Sequence, residues 1–128
     1  MTEAPLYLLD SNICIYVLEG KSRPVRERIE ACAPGEVVTS AVSCAEVMRG
    51  IPAGDDDRLH RALRFFDIVV PLPFDQSAAM HYPALPFKRN RFDRLIASHA
   101  LSTGLTLVTN NEANFSDIPG LRVENWTL

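Results

Sequence analysis

The absences in this chain narrow its chemistry first. It has six glycines in 128 residues, and nowhere do they form a glycine-rich phosphate loop. A nucleotide cradled by backbone amides is therefore not expected. Ser11 has no Gly-x-Ser-x-Gly elbow around it, so acyl transfer through an activated serine is not expected either. His60, His81 and His99 share no zinc-type spacing and read as core or surface residues. Cysteine is scarce and odd in number. Cys14, Cys32 and Cys44 lie in apolar neighbourhoods without metal-type spacing, which predicts buried reduced thiols in a cytoplasm. No apolar run approaches the ~18 residues of a membrane span, and the N-terminus is too polar for a signal peptide. The expected location is cytoplasmic. Low-complexity tracts and internal repeats are absent. A net charge of −3 argues against a nucleic-acid binder working by bulk charge, while leaving room for a local basic patch.

What is present is one domain, residues 1–128, long enough for a real core. Leu6, Tyr7, Leu8 and Leu9 run without alternation, the habit of a strand covered on both faces in a parallel sheet. Asp10 falls at that strand's carboxyl end, where open α/β sheets collect their ligands. Ile13 to Leu18 is apolar on every side. One side should pack on the sheet, and the other should meet a second helix or another protein chain. Pro24 opens a helix to about Ala33, with Val25, Ile29 and Cys32 inward. Val37 and Val38 make a strand ending at Thr39-Ser40, and a helix from about Ser43 to Gly50 carries Glu46. The last of Asp55, Asp56 and Asp57 is placed to cap a helix from Arg58 to Phe66. Ile68, Val69 and Val70 read as a strand stopped by prolines. Asp75 caps a short helix through His81. A helix from Asp93 to about Thr103 stops at Gly104, Leu105 to Val108 is a buried strand, and Leu121 to Val123 is a last one. Trp126 should seal a sheet edge. Strands alternating with helices predict an α/β fold, an α/β/α sandwich on a mostly parallel central sheet.

Three acids stand out, and each also has a structural reading. Asp10 in Asp-Ser-Asn is a good helix N-cap. Glu46 lies three residues after Ser43, the spacing of a capping box. Asp93 opens an apolar helix, where the dipole favours an acid whatever its role. Taken together, all three fall near a strand's carboxyl end or at the start of a helix there. In one cleft they would repel and raise one another's pKa values. A hard divalent cation removes that conflict and supports phosphodiester hydrolysis. Lys88, Arg89, Arg91 and Arg94, around Asp93, are either a solvated turn or a grip on a phosphate backbone.

The segments Leu8-Leu9-Asp10-Ser11-Asn12-Ile13, Ser40-Ala41-Val42-Ser43-Cys44-Ala45-Glu46, Phe92-Asp93-Arg94-Leu95-Ile96-Ala97-Ser98-His99 and Leu107-Val108-Thr109-Asn110-Asn111, followed by Pro119-Gly120-Leu121 to Asn125-Trp126, resemble in order and spacing a PIN domain. More closely they resemble the VapC family of VapBC toxin–antitoxin systems. The resemblance covers nearly the whole chain. It implies an α/β/α fold and Mg²⁺- or Mn²⁺-dependent cleavage of RNA. It also implies a homodimer, larger when bound to a VapB-like antitoxin, with promoter DNA bound only through that antitoxin and no membrane involved. Carried over by position, Asp10, Glu46 and Asp93 match the family's catalytic and metal-binding acids. Ser11 and Thr109 match supporting hydroxyls, and Asn12 matches the polar residue that helps hold the first acid. Asn111 stands nearest the family's fourth acid and is a weaker ligand, with Glu112 or Asp117 as substitutes. The stretch from Asp75 to Asp93 is short and proline-rich where relatives have a longer helix. Two other classes begin from the same residues. A phosphatase using Asp10 as nucleophile would need a second acid where Asn12 stands. A non-catalytic binding module would use the acids only as caps and surface charge.

Overall fold

The computed structural model describes residues 3–86 and 92–128. Leu8 and Leu9 are fully buried, yet successive strand residues point to opposite faces of a sheet. Both faces must therefore be covered, and they are. Leu9 belongs to one apolar cluster with Ile13, Val25, Val47, Ala62 and Phe66. Leu8 belongs to a second, with Val38, Ile96, Ala100 and Leu107. The strand between them, β1 (Tyr7–Leu9), is the centre of a five-stranded sheet completed by β2 (Val37–Ser40), β3 (Pro71–Leu72), β4 (Thr106–Val108) and β5 (Val123–Glu124). The order is β3-β2-β1-β4-β5, and every described pairing is parallel. Leu8 stands opposite Val38 on one side and Leu107 on the other.

Among the described residues six α-helices cover the sheet: α1 (Ser11–Glu19), α2 (Arg23–Ala31), α3 (Ala41–Arg49), α4 (Asp56–Ile68), α5 (Gln76–His81) and α6 (Asp93–Thr103). The expected α/β/α sandwich is what forms. α1 buries Ile13 and Cys14 against the sheet. Its other side is partly covered: Ile15, Val17 and Leu18 pack half-buried against the same core, and Ile15 and Leu18 also line a groove with Val47, Ile51 and Ala62. Gly104 closes α6 at φ 71°, a left-handed turn that glycine takes without penalty. Trp126, beyond β5, is buried edge-on to Tyr7, its ring centroid 4.9 Å away. All three cysteines are free, but only Cys14 is buried outright. Burial pushes its thiol up to about 12.

Three local expectations are corrected. α3 starts earlier than Ser43, because Ser40 is its N-cap and accepts from the Val42 amide at 3.1 Å. α4 is capped by Asp55, the first of the three aspartates, so Asp56 and Asp57 fall inside its first turn, favoured by the dipole. Ile68 to Val70 is not a strand. The helix runs through Ile68, and only Val69 of the three is buried, since Ile68 and Val70 face outward. The strand is the prolyl pair Pro71–Leu72, which a sheet edge tolerates because no neighbour needs the missing amide.

The strand order positions the site. From β1 the chain moves outward through β2 to β3, then returns to the other side of β1 as β4. The topological switch point therefore lies between the carboxyl ends of β1 and β4, where Asp10 and Thr109 follow their strands.

Candidate active site

A cleft of about 240 Å³ opens at that switch point. Asp10, Asn12, Glu46, Asp93, Thr109 and Asn111 line it, with Phe92, Asn114 and Phe115. Three carboxylates from residues 10, 46 and 93 thus reach one concavity from three helices.

Asp10 is only 7% exposed. One of its oxygens accepts from the Ile13 amide at 2.9 Å, so it does cap α1, and capping and facing the cleft coincide. Burial pushes its carboxyl up to about 6, with smaller upward contributions from the nearby charges of Glu46 and Asp93. Bonds from the Thr109 hydroxyl and the Ile13 amide pull the other way. Thr109 is itself buried, and its oxygen also accepts from the Asn111 amide at 3.1 Å, which folds the turn after β4 toward the cleft.

Glu46 is not part of a capping box. Ser40 caps the helix, Ser43 is buried, and Glu46 instead accepts a 2.6 Å bond from the Ser11 hydroxyl across 35 residues of sequence. That bond ties the first turn of α1 to α3. Asp93 sits in the first turn of α6. The α6 and α3 frames are linked deeper in: His99 Nδ1 lies 2.8 Å from Ser40 Oγ, and burial lowers the imidazole's pKa.

Arg94 is corrected. The expectation made it a solvent-facing grip on a phosphate backbone, but its side chain is 1% exposed and bound internally to Asp117 and Asn114. Lys88, Arg89 and Arg91 lie outside the described residues. Neither Glu112 nor Asp117 lines the cleft, so no described acid replaces the fourth carboxylate there, and the amides of Asn111 and Asn114 line that wall. Asn114 was missed in the sequence because nothing nearby marks it. Phe115 and Ile118, both buried, are the local hints that this turn docks on the core.

The donors at the cleft are carboxylates, amides and a hydroxyl, all hard oxygens suited to Mg²⁺ or Mn²⁺. Among the described residues no three Asp, Glu, His or Cys side chains are gathered tightly enough to enclose an ion by themselves. Mg²⁺ is commonly held by one or two carboxylates, with water and substrate phosphate completing its shell. A carboxyl raised chiefly by burial, and to a smaller extent by two nearby like charges, is also one that a cation would relieve. The donor chemistry of the cleft is compatible with such an ion.

The PIN domain family model matches residues 7–121. The chain is 33% identical to the tRNA(fMet)-specific endonuclease VapC of Shigella flexneri, across 94% of this chain and 98% of that protein. It is 28% identical to ribonuclease VapC2 of Rickettsia felis over similar shares, 94% and 98%. Among solved structures, DNA-bound VapBC from Salmonella typhimurium superposes with a TM-score of 0.85 at 29% identity, covering 95% of this chain and 98% of that one. VapBC2 of Rickettsia felis bound to a promoter DNA fragment gives 0.81 at 26%, covering 94% and 98%. A parallel five-stranded α/β/α sandwich with acids at its switch point is a PIN domain, and this chain belongs to that family. Within it, the chain belongs with the VapC proteins.

Proposed function

We propose that this chain is a metal-dependent endoribonuclease, the toxin of a type II toxin–antitoxin pair acting in the cytoplasm. The observation that carries the reading is the single cleft lined by Asp10, Glu46 and Asp93. The ribonuclease names of the VapC relatives support the substrate class.

In this mechanism Asp10 and Asp93 would hold Mg²⁺ or Mn²⁺, which would neutralise charge on the phosphoryl group and acidify water. Thr109 and the Ile13 amide fix Asp10 in one orientation. Ser11 holds one oxygen of Glu46 at 2.6 Å, and the carboxylate's other oxygen would accept a proton from the attacking water. As that water's oxygen bonds to phosphorus, the bond to the leaving ribose oxygen breaks, and the leaving oxygen takes up a proton from solvent. Asn111 and Asn114, which also line the cleft, would offer neutral amides to the RNA backbone.

The VapBC neighbours motivate a VapB-like antitoxin as partner, with promoter DNA reached through it. Its seat in this reading is the apolar groove beside α1, about 420 Å³, which has Arg58 and Arg61 among its lining residues and is larger than the acidic cleft. A homodimer belongs to the same reading. The phosphatase alternative is disfavoured because Asn12, not an acid, accompanies Asp10 in the cleft.

The test is direct. Purified protein is incubated with tRNA (initiator tRNA included), rRNA and mRNA, with Mg²⁺, Mn²⁺ or EDTA. Cleavage that requires the divalent ion is the expected result, and intact RNA under every condition would leave the binding-module reading in its place.

A further inference from the structure

Arginine seldom goes fully inside a protein, and Arg94 is 1% exposed. Its Nη1 donates to Asp117 Oδ1 at 2.9 Å, and its Nη2 donates to the Asn114 carbonyl, also at 2.9 Å. Its Nε is buried with no hydrogen-bond partner among the described residues. The guanidinium thus joins the first turn of α6, next to Asp93, to the turn after β4, which also lines the cleft.

We propose that Arg94, paired with Asp117, is a positioning residue: it locks residues 111–117 against α6, so that Asn111 and Asn114 face the carboxylates in one fixed arrangement. The proposal rests on reading the cleft as the ribonuclease site. Stability alone is a poor explanation for the pair. Phe115 and Ile118 are buried and already dock this segment by apolar contact. A buried guanidinium is costly to desolvate, and an apolar side chain of similar volume would hold the segment at lower cost. What an apolar residue cannot do is fix a direction. The planar fork sets Asp117 and the Asn114 carbonyl in one plane, and the compact ammonium of lysine cannot reproduce that.

The experiment compares wild type with Arg94→Gln, Arg94→Lys and Asp117→Asn. It reads kcat and KM for RNA cleavage at saturating divalent ion, and amide exchange along residues 111–117. Each variant is expected to lose about 10- to 100-fold in kcat with KM nearly unchanged, as misplaced groups at a cleft do. Exchange should quicken in 111–117 and stay slow in the interior of α6. Arg94→Lys should resemble Arg94→Gln rather than wild type. Should Arg94→Gln fail to fold, Asp117→Asn decides alone, because Asp117 is partly exposed and its loss leaves the core intact. A folded variant with kcat within about two-fold of wild type and unaltered exchange overturns the proposal. If the wild type does not cleave RNA, the ribonuclease reading fails separately, and exchange in 111–117 still decides whether the clamp exists.

Discussion

Asp10 is asked to do two things with one carboxyl, to cap α1 and to stay charged in a buried cleft. The second is costly. Its carboxyl sits at about 6 against an ordinary 3.8, so between those values the folded state holds a proton that the unfolded chain has released. Stability from this group therefore falls as pH rises through that window, and above it the cost is on the order of 2–3 kcal/mol in cation-free protein. Asp10→Asn keeps the cap and removes the charge. In EDTA at about pH 7.5 it should melt at a higher temperature than wild type, with the gap closing toward about pH 4. Thermal scans at the two pH values check this. An unchanged or lower melting temperature at the higher pH would mean that the carboxyl is not destabilised there. Ser11 has a different role, because its hydroxyl sets the direction of Glu46. Ser11→Ala should lower kcat by about ten-fold while costing no more than about 1 kcal/mol in urea denaturation.

Among the elements, α3 separates what the sequence discloses from what it hides. Its helical character, its apolar face and its acid are all written locally. Which serine caps it is not, because both Ser40 and Ser43 suit the part. Tertiary contact decides. Ser40 ends β2 and meets His99 from α6, 59 residues away, while Ser43 is turned into the core with its hydroxyl unpartnered among the described residues. Ser40→Ala should therefore cost about 2–3 kcal/mol, combining a lost cap with an unsatisfied buried imidazole. Ser43→Ala should be near neutral. Denaturation midpoints for the two variants test the assignment, and the reverse ranking would restore the capping box. The same limit explains Arg94. Its neighbours in sequence are cations and an acid, which reads as a solvated patch. The carboxylate that draws it inward lies 23 residues further on, beyond any local pattern. The strands were readable for the opposite reason. Leu8, Leu9, Leu107 and Val108 are buried on both faces, so their composition alone states their environment. Asp10 and Asp93 were readable because each stands where a strand ends or a helix begins, at the open edge of a doubly covered sheet, whereas Glu46 stands inside α3 and reaches that edge only through the fold. Asn114 carries no such mark.

For the whole molecule, the proposed function divides the work between the two concavities. The acidic cleft lies at the carboxyl edge of the sheet, and the apolar groove lies on the far side of α1. Their separate linings predict separable phenotypes. Leu18→Lys or Ile51→Lys places a charge in the groove and should weaken inhibition by the antitoxin while leaving cleavage of RNA intact. Loss of cleavage without loss of inhibition would contradict that division. A divalent ion that binds only the folded chain must also raise its melting temperature, and Asp93→Asn should blunt that rise.

The central claim is that Asp10, Glu46 and Asp93 act as one site. It is tested most directly by measuring the rate of RNA cleavage in Mg²⁺ for Asp10→Asn, Asp93→Asn and the double variant. The account predicts that each single change reduces the rate to near background and that the double change costs no more than either, because groups acting as a unit are not additive. Full cleavage by either single variant would contradict it.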